Sequence, residues 1–150
     1  MRDAINAALK DAIKTRDSRR TTTLRLINAA IKDRDIAARS EGRDAIDDAE
    51  VMALLHKMVK QREESVAIYD RAGRTDLAEQ ERGEIEVIRD FLPRPLSDED
   101  IANAVSDAIA KTGAAGLRDM GKVIDALKAR YPGRIDFSKA SRIVKQKLGA

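Results

Sequence analysis

The sequence contains no cysteine and no tryptophan, and only two phenylalanines and two tyrosines supply its aromatic side chains. Without cysteine, disulfide bonds, thiolate metal ligands and a cysteine nucleophile are excluded. A chain poor in aromatic residues and rich in alanine, leucine and charged residues suits helices better than sheets. The sequence therefore predicts an all-α fold, and its 43% hydrophobic content is enough for a buried core.

Long apolar runs are also missing. No segment approaches the roughly 20 apolar residues that a membrane-spanning helix needs. The first residues, Met1–Ile5, have an amphipathic pattern instead of the apolar stretch of a signal peptide. These absences predict a cytoplasmic protein that binds no membrane. Phosphate-binding loops, dinucleotide-binding turns and a nucleophile elbow are absent as well, so we expect no cofactor and no catalytic residue.

Prolines are few, and two of the three, Pro93 and Pro95, interrupt the helical pattern. A proline ring lacks the N–H group and clashes with the preceding turn, so a helix cannot continue through this segment. The sequence therefore predicts an N-terminal helical domain over residues 1–92, a linker over 93–96 and a C-terminal tail domain over 97–150.

The spacing of apolar residues predicts four helices in the N-terminal domain. The breaks and caps between them are, in chain order, Arg16–Ser18, Ser40–Arg43, a capping box of Asp47 and Glu50, and Gly73. Either Thr75 or Asp76 is expected to cap the fourth helix. Because the connection at Gly73 is short, the third and fourth helices should form a long antiparallel hairpin.

Three short helices are expected in the tail domain, where they would bury one small core. The first starts at a capping box of Ser97 and Asp100 and stops near Gly113, the second carries Met120 to Leu127, and the third carries Ala140 to Leu148.

Two groups of residues have the chemistry of metal ligands. His56, the only histidine, has no carboxylate three residues before it, so a solvated surface histidine is the favoured interpretation. An acidic run on the fourth helix comprises Glu79, Glu81, Glu84, Glu86 and Asp90. Arg82 and Arg89 interleave with this run, which favours ion pairs within the helix over a cation site. No metal site is predicted.

Charge is unevenly distributed along the chain. Residues 1–96 hold 19 basic and 19 acidic side chains, whereas residues 128–150 hold seven basic ones and a single acid. On the last helix Lys139, Arg142 and Lys145 step by three and so share a face. Such a basic ridge is typical of a surface that binds an anionic partner. The alternative is a solvated face that only keeps the protein soluble.

Several motifs occur together along the chain. They are Thr23–Ile27 with Ala30–Lys32, Lys60–Ser65, Tyr69, Ala72–Glu81 with Glu84 and Phe91–Pro93, Asp119–Ile124, and Lys139–Ser141 with Ile143–Lys145. In combination they resemble the YqeY-like proteins of the GatB/YqeY domain family, and the resemblance covers essentially the whole chain. It implies a helical N-terminal domain followed by a three-helix tail.

The resemblance also implies a function. The related region is the C-terminal part of the B subunit of the glutamine-dependent amidotransferase that corrects mischarged Glu-tRNA or Asp-tRNA, where the tail meets the outer corner of the tRNA. The catalytic portions of that enzyme have no counterpart in this sequence. A tRNA-binding accessory protein that is not catalytic alone is therefore expected. Its candidate protein partners are an amidotransferase or an aminoacyl-tRNA synthetase, and DNA is not expected.

The resemblance carries RNA contacts over to Gly121–Lys122 and to Lys139 with Arg142. With the other tail cations, the candidate RNA-binding residues are Lys122, Lys128, Arg130, Arg134, Lys139, Arg142 and Lys145. With so few aromatic residues, RNA would be read by backbone charge and shape. Gly121 would serve either a close approach to RNA or tight helix packing.

One loop departs from the family pattern. Many relatives read Gly-Arg-x-Asp-Gly-Lys where this chain has Gly133-Arg134-Ile135-Asp136-Phe137-Ser138-Lys139. Phe137 and an extra residue replace a glycine, so an RNA contact of this loop is not carried over. In the hairpin, Arg62, Tyr69, Arg74 and Asp76 are expected to organise the structure.

Two other functions stay open. The chain could be a component associated with glutamine-dependent carbon–nitrogen ligase activity, joining an enzyme that supplies the catalytic groups. Alternatively it could be a helical protein-interaction module, whose acidic fourth helix and long third helix bind another protein.

Overall fold

The computed structural model describes residues 1–149, which form helices and connecting turns and contain no strand. The all-α fold predicted from composition is confirmed. In this part of the chain the elements are α1 (Arg2–Lys14), α2 (Ser18–Ser40), α3 (Asp48–Arg71), α4 (Thr75–Arg89), α5 (Asp98–Thr112), a 3-10 turn (Leu117–Asp119), α6 (Met120–Arg130) and α7 (Phe137–Gly149).

Contacts divide the chain into two compact units, which we call unit 1 (Met1–Leu92) and unit 2 (from Pro93 onward). Residues 93–97 have no regular secondary structure, as expected where two prolines stop a helix. Leu96 nevertheless packs against the core of unit 2, and its N–H donates to the carbonyl of Arg134 at 2.8 Å. That the two units are independently folding domains stays a prediction.

Unit 1 is built on one apolar face of each of its four helices. The large side chains that are fully buried there are Ile5, Leu24, Ile27, Val51, Leu55 and Ile88. Gly73 has a φ of 70°, a left-handed conformation that ends α3 and suits glycine. Ion pairs join Glu63 to Arg89 and Asp70 to Arg82, so α3 and α4 run antiparallel, as predicted.

The capping box predicted at the start of α3 is present. The Asp47 carboxylate accepts the Glu50 N–H at 2.8 Å, and the Glu50 carboxylate accepts the Asp47 N–H at 3.4 Å. At the start of α5 only half of the predicted box forms: the Ser97 hydroxyl accepts the Asp100 N–H at 3.1 Å. Aspartate is one methylene shorter than glutamate, so Asp100 does not return the bond.

The predicted cap of α4 is wrong. The helix starts at Thr75, and Arg74 occupies the N-cap position without a side-chain cap. The connection after α3 is so short that helical geometry resumes directly after Arg74. Asp76 instead lies in the first turn, where its carboxylate pairs with Arg74 at 3.4 Å.

Unit 2 contains three helices, α5, α6 and α7, around a core of its own. Its most buried side chains are Ile101, Val105, Val123, Leu127, Ala140 and Val144. Gly113, with a φ of 67°, ends α5 as the sequence predicts. Within residues 1–149 no helix combines the length and the apolar character required to cross a bilayer.

Candidate nucleic-acid interface

The solvent-facing side of α7 carries three basic side chains and no acidic one. The helix buries Ala140 and Val144 in the core of unit 2, and its periodicity turns Lys139, Arg142 and Lys145 to the opposite side. All three cations are exposed. The remaining exposed residues of this side are Ser138, Gln146 and Gly149. We call this side the basic face of α7.

Two lysines of α7 are bound to α5. The Lys139 ammonium lies 3.1 Å from an Asp98 carboxylate oxygen, and both side chains are exposed. Lys147, outside the basic face, donates to the Ala102 carbonyl at 3.4 Å and to the Ser106 hydroxyl. On the basic face, Arg142 and Lys145 are thus the cations that make no ion pair within residues 1–149.

The end of α6 brings two further cations next to aromatic rings. The Lys128 ammonium lies 5.5 Å from the centre of the Phe137 ring, and the Arg130 guanidinium lies 5.6 Å from that of Tyr131. Arg130 Nε also donates to the Tyr131 hydroxyl at 3.1 Å. Both cations are exposed, while both rings are half-buried. The rings therefore already have cationic neighbours, an arrangement that the sequence did not predict.

The side chain of Arg134 is bound to the backbone within unit 2. Its Nε donates to the carbonyl of Arg94 at 3.0 Å, and its own carbonyl accepts the Leu96 N–H. The side chain thereby holds the proline-containing segment against the turn between α6 and α7.

Lys122 is exposed in the first turn of α6, close to Asp119. The Asp119 carboxylate accepts the Ala115 N–H at 3.0 Å, which is the main reason why its pKa is lowered; Lys122 lowers it further. A Cβ added to Gly121 would meet no atom within 4 Å. The tight-packing interpretation of Gly121 is therefore wrong, since no neighbouring helix requires a glycine there.

In the acidic run of α4, Glu79 pairs within the helix as the sequence predicted, whereas Glu84 and Asp90 pair with arginines of other helices. The ion pairs are Glu79–Arg82 (2.6 Å) inside α4, Asp70–Arg82 (2.5 Å), Glu63–Arg89 (2.7 Å) and Glu84–Arg62 (3.0 Å) between α3 and α4, and Asp90–Arg20 (2.7 Å) between α4 and α2. The prediction misses these because an arginine in the sequence has no assigned neighbour until helices pack. Of the run, only Glu81 and Glu86 make no ion pair in the described chain.

Arg62 and Glu84 form the most buried of these pairs, with side-chain exposures of 15% and 13%. Arg62 also donates to the Met58 carbonyl at 3.2 Å, so its guanidinium bonds both α4 and its own helix inside unit 1. Burial and the neighbouring Glu84 carboxylate raise the pKa of Glu81. The ion pairs between α3 and α4 hold the hairpin together.

Metal-ligating residues do not cluster in the described chain. No group of three His, Asp or Glu side chains in residues 1–149 is placed to hold a metal ion. His56 is exposed on α3, which confirms its interpretation as a surface histidine.

The fold and this surface define an all-helical protein whose second unit presents a basic helix face. The chain belongs to the Yqey-like protein family, because the family's sequence profile matches residues 2–148.

Fungal proteins named "Altered inheritance of mitochondria protein 41, mitochondrial" are similar to this chain. The protein of Lachancea thermotolerans is 32% identical over 146 residues, which cover 92% of this chain and 76% of the relative. That of Vanderwaltozyma polyspora is 25% identical over 147 residues, covering 93% and 78%. That of Pyrenophora tritici-repentis is 24% identical over an alignment of 154 residues, gaps included, which covers 97% of this chain and 80% of the relative.

These relatives correct one prediction. The cytoplasmic location expected from the sequence is wrong, because the relatives are named as mitochondrial and so point to mitochondria. The expectation relied on a missing apolar leader. Mitochondrial targeting segments are amphipathic and rich in arginine, so the lack of an apolar stretch carries no information about that compartment.

Proposed function

We propose that this chain is a tRNA-binding accessory protein that docks on RNA through unit 2 and makes or breaks no covalent bond itself. The observation that carries the proposal is the basic face of α7, where Lys139, Arg142 and Lys145 are exposed without an acidic neighbour on that face. Phosphate groups are the natural partners of such a face, and arginine can bind them through two parallel hydrogen bonds.

Three further cations on α6 support an extended contact: Lys122, Lys128 and Arg130 are all exposed. Because Tyr131 and Phe137 already have cationic neighbours, RNA recognition would rest on backbone charge and shape more than on base stacking. Arg134 would contribute its charge while keeping its hydrogen bond to Arg94.

Membership of the family supports tRNA as the class of RNA, through the relation of this family to the B subunit of the tRNA-dependent amidotransferase. An amidotransferase or an aminoacyl-tRNA synthetase would then be the protein partner that supplies catalysis. Glutamine-dependent amidation of a mischarged tRNA by the purified chain alone would contradict the accessory role.

The proposal is tested by fluorescence anisotropy of labelled tRNA titrated with the full chain. The variant removes the basic face with Lys139→Ala, Arg142→Ala and Lys145→Ala. If four to seven phosphates are engaged, log K should fall against log salt with a slope of roughly −3 to −6. The triple variant should bind more weakly, with a slope less steep by roughly 2 to 3.

A matched control removes the same charge from unit 1, with Lys10→Ala, Lys32→Ala and Lys60→Ala. These lysines are exposed and make no ion pair in the described chain. The control should bind tRNA almost as well as the wild type. Because the relatives are named as mitochondrial, the RNA panel should include mitochondrial tRNA beside a plain RNA duplex. Salt-insensitive binding, or an equal loss in the control, would refute the proposal.

A further inference from the structure

A second cationic site lies in unit 1, where α1 ends and α2 begins. An open cavity of about 330 Å³ there is lined by Ile13, Arg16, Ser18, Thr21, Thr22 and Arg25. We call these six residues the α1–α2 corner. The sequence did not indicate this site, because the basic and acidic residues of positions 1–96 balance when they are counted together.

The two arginines of the corner lack acidic partners. Seven other arginines of unit 1 form ion pairs: Arg2, Arg20, Arg43, Arg62, Arg74, Arg82 and Arg89. Arg16 and Arg25 form none within residues 1–149, nor do Arg19, Arg34, Arg39 and Arg71, but of these six only Arg16 and Arg25 line this cavity. The carboxylate adjacent in sequence, Asp17, accepts the Arg20 N–H at 3.1 Å and does not line the cavity. Two positive charges therefore share this cavity without a carboxylate in its wall.

Three hydroxyl groups line the same cavity without a partner. In the part of the chain that is described, the side chains of Ser18, Thr21 and Thr22 make no hydrogen bond. The hydroxyls of Thr15 and Thr23, just outside the cavity, instead bond to helix carbonyls at 3.0 Å and 2.9 Å. The corner thus offers three available hydroxyl donors beside two guanidinium groups.

A cavity elsewhere in unit 1 shows what distinguishes the corner. That cavity, of about 240 Å³, is lined by Arg34 and Lys57, but also by Glu50, whose carboxylate is bound by Arg43. A carboxylate in the wall repels an anion, whereas the α1–α2 corner has none.

We propose that the α1–α2 corner binds a phosphate group. Guanidinium and hydroxyl groups are the donors that phosphate oxygens accept, and bonds to guanidinium are strengthened by charge. Ile13 is 50% exposed at the edge of the cavity and supplies an apolar wall for the organic part of an ester. The phosphate belongs either to a small ester or to an RNA backbone; the RNA source alone rests on the proposed function.

The test follows backbone amide signals of the full chain by two-dimensional NMR during titration with inorganic phosphate and with adenosine monophosphate. The site variant is Arg16→Gly with Arg25→Gln. Arg16 has a φ of 57°, which glycine adopts without strain, and glutamine keeps the helix propensity of α2. A second variant, Thr21→Val with Thr22→Val, removes two hydroxyls at nearly constant shape. Both variants are therefore expected to keep the fold, so that a loss of binding can be assigned to the missing groups.

Lys10→Gln with Lys14→Gln is the charge-matched control, on the last turns of α1 and outside the cavity. Saturable shifts are expected over Ser18–Arg25 in the wild type. Affinity should fall about tenfold in the arginine variant, and change by no more than about twofold in the control. Shifts that fail to saturate, or that weaken equally in the control, would overturn the proposal.

Titration with tRNA separates the two sources. If the arginine variant also loses tRNA affinity, the phosphate is that of RNA; if tRNA affinity is unchanged while adenosine monophosphate saturates the corner, it is that of a small ester. Saturation by inorganic phosphate without any tRNA binding would refute the proposed function and leave the corner site standing.

Discussion

Asp35 is a carboxylate that joins three segments of unit 1. It accepts hydrogen bonds from both terminal nitrogens of Arg2, at 2.9 and 2.7 Å, and from the Ile46 N–H at 3.0 Å. Arg2 in turn donates to the Ile46 carbonyl at 2.9 Å. The Arg2 hydrogen bonds, followed by that of Ile46, lower the pKa of Asp35 to about 2. One side chain thus ties α1, α2 and the connection to α3.

This pKa predicts how the stability of the protein depends on pH. A carboxyl group with a lowered folded pKa stabilises the fold above its unfolded pKa of about 3.9, and this contribution is lost as pH falls towards the folded value. Asp35→Asn should therefore lower the free energy of unfolding at pH 7. The difference from the wild type should shrink between about pH 4 and pH 2. Urea unfolding at a series of pH values measures it.

Asp33→Asn is the matched control for that series. Asp33 lies on the same helix, is exposed and makes no ion pair in the described chain. Its replacement should change stability little at any pH. The role of Asp35 would be contradicted if Asp33→Asn lost as much stability as Asp35→Asn. It would also be contradicted if the stability difference between Asp35→Asn and the wild type did not vary with pH.

Single-residue roles were predictable where partners are close in sequence. The Asp47–Glu50 capping box spans three residues, and its geometry follows from the start of any helix. Arg2 and Asp35 are 33 residues apart, and no spacing rule connects them. The corner arginines Arg16 and Arg25 were missed for a related reason: the cavity that they share, with no carboxylate in its wall, forms only when the helices pack.

At the scale of helices, two glycines have opposite roles. Gly73 ends α3 with a φ of 70°, where a side chain is strained by about 1–2 kcal/mol. Gly121 lies inside α6, where an added Cβ meets no atom within 4 Å. Gly73→Ala should therefore destabilise the protein by about 1 kcal/mol, and Gly121→Ala should stabilise α6 by about 0.5–1 kcal/mol.

Chemical denaturation of both variants tests this pair, and each serves as the control for the other. If both substitutions change the free energy of unfolding in the same direction, local backbone preference does not decide their effect. If RNA approaches α6 closely at Gly121, the alanine variant should also lose tRNA affinity while gaining stability. That combination separates a binding role from a structural one.

The helices themselves were largely predictable, because each has an apolar stripe and most end at glycine or proline. The bounds of α3 and α5 follow from Asp47, Gly73, Ser97 and Gly113. The errors concern interactions between helices. The acidic run of α4 was assigned to pairs within that helix, but Glu84 and Asp90 pair with Arg62 of α3 and Arg20 of α2. The candidate basic face depends on one helix only, and its three cations could be placed from spacing alone.

At the scale of the whole molecule, the chain has two separate hydrophobic cores. One is formed by residues of Met1–Leu92 and the other by residues from Leu96 to Leu148. Along the chain, the proline-containing segment that the sequence predicts as a linker lies between these two groups of residues. Balanced charge in unit 1 and excess positive charge at the end of unit 2 give the two parts different surfaces. Independent folding of the two units follows as a prediction, since each has its own core.

Core substitutions in the full chain test this independence. Leu127→Ala removes a buried side chain from the core of unit 2, and Ile88→Ala does so in unit 1. Each should destabilise its own unit by about 2–5 kcal/mol and leave the other unchanged. Hydrogen exchange, read amide by amide, reports both units in one sample. Leu127→Ala should speed exchange in α5 to α7 only, and Ile88→Ala in α1 to α4 only. Faster exchange throughout the chain in either variant would show that the units unfold as a single cooperative structure.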